Sequence, residues 1–151
     1  MKMKAYIAGV GMTNFGKHMD TALKTLAGQS ITAAIDDSGL SLNDIQAAYM
    51  ANGAGGVVQG QEMISGQVAL RELGVGKIPV VNVENACATS STAFQQASLM
   101  VSAGIYDVVL VCGFEKLFHQ DKRRTFAAFD GAVDTENSEG MLGALQALAD
   151  K

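Results

Sequence analysis

The sequence predicts an α/β domain built on a mostly parallel, mixed sheet with covering helices. Three observations carry that prediction. Apolar, β-prone runs recur at residues 5–10, 47–51, 78–83 and 107–113, with segments of helical periodicity between them. One of these runs, Val108-Val109-Leu110-Val111, has the unbroken apolar character of a strand covered on both faces. The 151 residues suffice for one domain with its own core, and 17 Gly against one Pro supply turns and close backbone approaches without stiff linkers.

Residues 5–10 read as the first strand, closed by a glycine turn at Gly9 and Gly11. Residues 21–38 read as a helix, because Leu23, Leu26, Ala27, Ile31, Ala34 and Ile35 recur at spacings of three or four and Gly39 stands where a C-terminal cap belongs. Ser41, Leu42, Asn43 and Asp44 supply turn and capping chemistry before a second strand at 47–51. Gly53, Gly55 and Gly56 then form a flexible loop. A helix over 61–73 rests on the pairs Ile64/Val68 and Ala69/Leu73, with Gly74 and Gly76 as stop signals. Residues 78–83 make a third strand, interrupted only by Pro79 and Asn82.

Residues 85–106 carry no charge over 22 positions. Asn85, Thr89, Ser90, Ser91, Thr92, Gln95, Gln96, Ser98 and Ser102 make this stretch too polar for a bilayer span. It reads as a helix ending at Gly104 and buried on most sides. The fourth strand follows at 107–113. A polar, glycine-containing loop begins near 116, and a short helix over 141–149 follows it. No fixed-period repeat is visible, and no strand closes the layer before Lys151, so the domain (residues 1–151) reads as incomplete.

Composition excludes several functional classes. With 48% hydrophobic and 17% charged residues the chain is not disordered, and 11 Lys plus Arg against 15 Asp plus Glu, a net charge of −4, argues against a nucleic-acid partner. The apolar stretch 5–10 is too short for a secretory signal, and no membrane association is expected. Two Cys make no disulfide framework and suit a reducing cytoplasm.

Gly9-Val10-Gly11 after a strand suggests a dinucleotide fingerprint, but Asn14 stands where its third glycine belongs, so a plain glycine turn is the better reading. His18, His119, Cys87 and Cys112 match no zinc spacing, and no metal is expected. Lys122, Arg123 and Arg124 form either a solvated loop face or an anchor for a phosphorylated substrate. Cys87 lies between a strand and the uncharged helix. There, unpaired backbone N–H groups and the positive end of the macrodipole favour a thiolate and stabilise an oxyanion. Ala86, Ala88, Thr89, Ser90 and Ser91 leave room around it; the alternative is a buried structural Cys.

The segment 82–94, NVENACATSSTAF, resembles the nucleophile motif of the thiolase superfamily. Val10-Gly11-Met12-Thr13 with Phe15-Gly16-Lys17 is similar to the N-terminal motif of the sterol-carrier-type (lipid-transfer) thiolases, and Gly113-Phe114-Glu115-Lys116 to the motif closing a strand in that branch. The resemblance implies a thioester on Cys87 during cleavage or formation of a 3-ketoacyl-CoA. Coenzyme A thioesters would serve as substrate, with no further cofactor. It also implies two similar halves with five-stranded mixed sheets, of which this chain is the N-terminal, nucleophile-bearing one. Lys122, Arg123 and Arg124 fall where the family's loop covers CoA. The position three after Cys87, often Gly in the family, is Ser90, where Gly would allow closer substrate approach. The family's His and Cys acid–base residues come from the C-terminal half, and nothing here matches them. The resemblance therefore implies an acyltransferase fragment or one subunit of a split enzyme, as a homo-oligomer or with a partner chain supplying that half. The alternatives are a catalytically silent binding or assembly module, and a ketoacyl-synthase relative loading acyl carrier protein.

Overall fold

A computed structural model describes residues 4–149. Strands β1 (Ala47–Ala51), β2 (Val80–Val83) and β3 (Val109–Gly113) form a parallel sheet in the order β2-β1-β3. The helices are α1 (Leu23–Ser38), α2 (Gly55–Gln59), α3 (Ser65–Glu72), α4 (Thr89–Ser102), α5 (Lys122–Asp130) and α6 (Ser138–Ala149).

The strand period divides the core between two faces. Ala48 and Met50 of β1 pack with Ala27 and Ile31 of α1, Ala69 and Leu70 of α3, and Leu110 and Cys112 of β3. Tyr49 and Ala51 face the other way and pack with Val83 and with Ala93 and Ala97 of α4. Helices thus cover both faces, and all five residues of β1 are buried. Its three alanines admit this close double covering around Tyr49 and Met50. Ile31, Met50, Leu70 and Val58 are the largest fully buried side chains, each stabilising the fold by about 1.5–3 kcal/mol through burial alone.

As expected for 108–111, β3 also has helices on both faces: Leu110 and Cys112 pack with α1 and α3, and Val109 and Val111 pack on the α4 side. Leu110 and Cys112 are buried whereas Val109 and Val111 are half-buried, because β3 is an edge of the sheet. A correction concerns residues 5–10, which form no strand. They run apart from the sheet, held where the Lys4 N–H donates to Ser102 Oγ (2.8 Å) and the Val10 N–H donates to the Asp37 carboxylate (2.9 Å). Between this segment and β3 lies a cavity of about 1420 Å³, bordered by Ile7, Val10, Ile31, Ala97, Val109 and Val111. A strand requires a ladder partner, and here the cavity separates the two backbones. Gly9 and Gly11 lie so close to α1 that a Cβ on either would overlap backbone atoms of Ala34, Ser38 and Ser30. Close approach to a helix accounts for the glycine pair.

The remaining elements follow the sequence with shifted ends. Gly39, at φ 69°, caps α1, and Gly74, at φ 74°, follows α3. The expected flexible glycine loop is instead largely helix α2, whose first N–H, on Gly55, is accepted by Asn52 Oδ1 (2.8 Å). The loop after 116 contains α5, started by Asp121, whose side chain accepts from the Arg123 N–H. Helix α4 is uncharged as expected but is buried on one face only: Thr89, Ala93, Ala97 and Ser98 point inward, while Phe94 and Leu99 are exposed. Among the described residues no helix is long and apolar enough to cross a membrane.

Candidate active site

The C-terminal ends of the three parallel strands converge on one rim of the sheet, where open α/β sheets form their crevices. From Val83 the chain crosses that rim through a 3₁₀ turn, Ala86–Ala88, and enters α4 at Thr89. Cys87 sits in the middle of this turn, exposed and free, at the head of a 14-residue helix. The turn is held by side chains close in sequence. Glu84 Oε1 accepts from the Ala86 N–H (2.6 Å), Thr89 Oγ1 accepts from the Asn85 N–H (2.8 Å), and the same hydroxyl donates to the Ala86 carbonyl (2.7 Å). Asn85 Nδ2 donates to Thr92 Oγ1 (2.9 Å).

The ends of β1 and β3 are tied to each other beside this turn. The Glu115 carboxylate accepts from the Gly53 N–H (2.9 Å) and the Ala54 N–H (3.0 Å), and Asn52 Nδ2 donates to the Phe114 carbonyl (2.6 Å). A Cβ on Gly53 would stand 3.5 Å from both the Ala86 carbonyl and the Thr89 hydroxyl. In the sequence Glu115 stands only as part of a motif; its role as a clamp between two strand ends comes from the fold. Cys87, Ser90, Gly53 and Glu115 all border the cavity that runs along β3.

Ser90 does not simply narrow the approach to Cys87. Its hydroxyl lies against Gly113 at the end of β3, filling the space a side chain there would need. Cys112 lies inside the core. Its thiol is 3.8 Å from Ser30 Oγ, and burial pushes it up to about 11 from the usual 9.0, the Ser30 hydrogen bond opposing the rise.

The three expected anion anchors are divided. Arg123 is engaged with Asp121 through Nε (2.9 Å) and Nη2 (2.8 Å), and this pairing holds the Asp121 carboxyl down at about 2. Arg124 Nη1 donates to the Val58 carbonyl (3.4 Å). Lys122 Nζ lies 3.7 Å from the centroid of the Phe118 ring, and Lys17 Nζ lies 4.9 Å from the same centroid. His18 Nε2 bonds the Asn14 carbonyl (2.7 Å), and His119 Nδ1 accepts from the Asp121 N–H (3.0 Å). Among the described residues no three His, Cys, Asp or Glu side chains are grouped to hold a metal.

Helices on both faces of a parallel sheet, with an exposed thiol on the turn from a strand into a buried-faced helix, define the class: α/β domains that carry a cysteine at a strand-to-helix junction. The family described as "Thiolase, N-terminal domain" matches residues 5–150, and the chain belongs to the thiolase family. It is 36% identical over 138 residues to an acetyl-CoA acetyltransferase of Methanocaldococcus jannaschii, covering 91% of this chain and 34% of that protein. To benzoylsuccinyl-CoA thiolase subunit BbsB of Thauera aromatica it is 32% identical over 148 residues, covering 95% of this chain and 36% of that one. Sterol carrier protein 2 of Gallus gallus is 32% identical over 119 residues, covering 78% of this chain and 21% of that protein, in keeping with the branch expected from the motifs. Among solved structures, a 3-oxoacyl-(acyl carrier protein) synthase III of Xanthomonas oryzae shares the fold, with a TM-score of 0.61 and 22% identity over 85% of this chain and 37% of that one. The chain spans about a third of the length of the first two relatives.

Proposed function

We propose that the chain is the nucleophile-bearing part of a thiolase-type acyl-CoA acyltransferase. The observation that carries this reading is the exposed Cys87 on a hydrogen-bonded turn at the head of α4. The Cys87 sulfur, as thiolate, attacks the carbonyl carbon of an acyl-CoA or a 3-ketoacyl-CoA. The new C–S bond forms as the bond to CoA sulfur, or to the CoA-bearing carbanion carbon, breaks, and the leaving group takes up a proton. The Cys87 N–H donates to the carbonyl oxygen as its charge develops. Transfer of the acyl group to CoA, or to an acyl-CoA carbanion, regenerates the thiol.

The base that removes the thiol proton comes from the second half of the thiolase fold, which a partner chain can supply. Two observations support that assignment. His18 and His119 are held in loop hydrogen bonds, and the BbsB relative is by name a subunit of a thiolase. Lys122 and Lys17 carry the contact to CoA phosphates, with Arg123 and Arg124 as lesser contributors because each already has a protein partner. The two free thiols fit a reducing cytoplasm.

Incubation with acetyl-CoA, acetoacetyl-CoA or an acyl carrier protein thioester, followed by acyl counting on the protein, tests the reading. Incorporation from the CoA thioesters that disappears in Cys87→Ala is expected. Equal incorporation in Cys87→Ala would refute the nucleophile, and loading from the carrier protein alone would move the chain to the ketoacyl-synthase side. A second reading, an assembly module without catalysis, is favoured by the exposed Phe94 and Leu99 on α4. A monodisperse monomer in light scattering would count against it.

A further inference from the structure

We propose that Thr89 is the positioning residue of the nucleophile turn: its hydroxyl holds Ala86 in the left-handed conformation that sets the direction in which Cys87 leaves the sheet. The inference rests on the reading of Cys87 as nucleophile and names the group that aims it. Ala86 has φ 43°, a region that an L-residue with a Cβ avoids. Such a conformation persists where the surroundings impose it. Here both polar backbone groups of Ala86 are held: the Glu84 side chain takes its N–H, and the Thr89 hydroxyl donates to its carbonyl alongside the Thr89 backbone N–H. The Thr89 hydroxyl also accepts from the Asn85 N–H, so one oxygen brackets the two residues that precede Cys87.

Thr89 is 6% exposed, so water does not readily replace it. Gly53 lies against the same hydroxyl and carbonyl, and Glu115 fixes the Gly53 loop in turn. A valine at 89 would keep the shape and burial but offer neither donor nor acceptor. The Asn85 N–H would then lose its acceptor and the Ala86 carbonyl one of its two donors, the Thr89 backbone N–H remaining, and the turn would relax towards an ordinary backbone conformation, carrying Cys87 with it. Serine would keep the hydroxyl.

The test uses the full chain as wild type, Thr89→Val and Thr89→Ser, with two readouts. Nuclear magnetic resonance follows the exchange of the Asn85 amide and the carbon shifts of Ala86 that report positive φ. Mass spectrometry follows acyl incorporation at Cys87 from acetyl-CoA. In Thr89→Val, Asn85 exchange is expected to rise and acyl incorporation to fall by about tenfold or more, with the positive-φ signature lost; Thr89→Ser stays within about threefold of wild type. A Thr89→Val chain that keeps the Ala86 signature and wild-type incorporation overturns the proposal. Equal acylation of a Cys87→Ala chain would refute the nucleophile, and whether or not the wild type is acylated the resonance data decide the role of Thr89. If Thr89→Val does not fold, the wild type decides: an unprotected Asn85 amide overturns the proposal, and protection of about tenfold or more supports it.

Discussion

Cys87 and Cys112 set the same side chain in two opposite surroundings. Cys112 lies in β3 among the residues that join α1 and α3 to the sheet, and burial pushes its thiol up to about 11. Cys87 stands exposed on a short turn, its backbone held from both sides by side-chain hydrogen bonds. The first environment keeps a thiol protonated and inert; the second presents it to a reactant. What separates them is less the residue than whether a strand interior or a strand end carries it.

The sharpest way to break this contrast is to remove each thiol. Cys87→Ala is expected to lower acyl incorporation by at least about 100-fold, whereas Cys112→Ala keeps it within about threefold, as counted by radiolabel. Next in size is accessibility. In the folded chain at neutral pH, iodoacetamide is expected to modify Cys87 at least about 100-fold faster than Cys112, with the difference vanishing in denaturant. Comparable rates in the native chain would erase the distinction.

The buried thiol also makes an alkaline prediction. Its folded value lies above the ordinary 9.0, so below pH 9 both states are protonated and stability is unaffected. As pH rises from 9 to 11 the unfolded thiol ionises while the folded one does not, and stability falls. The loss amounts to about 2–3 kcal/mol across that window. Denaturant titrations at pH 8 and 11 should show this loss in the wild type and its reduction in Cys112→Ala.

The two regions meet where Ser90 lies against Gly113. Gly113→Ala is expected to destabilise by about 1–3 kcal/mol through overpacking, and the added change Ser90→Gly should recover most of it. Thermal melts of the single and double variants measure that coupling; independent effects would place Ser90 elsewhere. The smallest effect belongs to the loop. Lys122→Ala is expected to raise the acetyl-CoA concentration needed for half-maximal incorporation by about threefold, and to leave an acetyl-pantetheine donor unaffected.

Much of this arrangement was legible in the chain. The run 47–51 gave its strand directly, and the strand-to-helix position of Cys87 survives intact. Gly39 and Gly74 mark helix ends because both need positive φ, a requirement local enough to read from sequence. Residues 5–10 have strand composition, but a strand depends on a neighbour, and composition does not say whether one is adjacent. Helix α5 is marked in the sequence only by the short pair Phe126/Phe129, which the fold leaves exposed, and by Asp121 as a cap. At the site, the place of Cys87 between a strand and a helix was readable, whereas the partition of Lys122, Arg123 and Arg124 was not. Asp121 and Phe118 are local partners whose contacts depend on the geometry of the α5 cap, and Val58 reaches Arg124 through the packing of α5 on α2.

The central claim is that the turn before α4, and not the core strand, carries the acyl group. Peptide mapping of the intact chain after incubation with acetyl-CoA tests it most directly. The account predicts a thioester on the peptide containing Cys87 and none on the peptide containing Cys112. An adduct on Cys112 or on another residue, with none on Cys87, would contradict it.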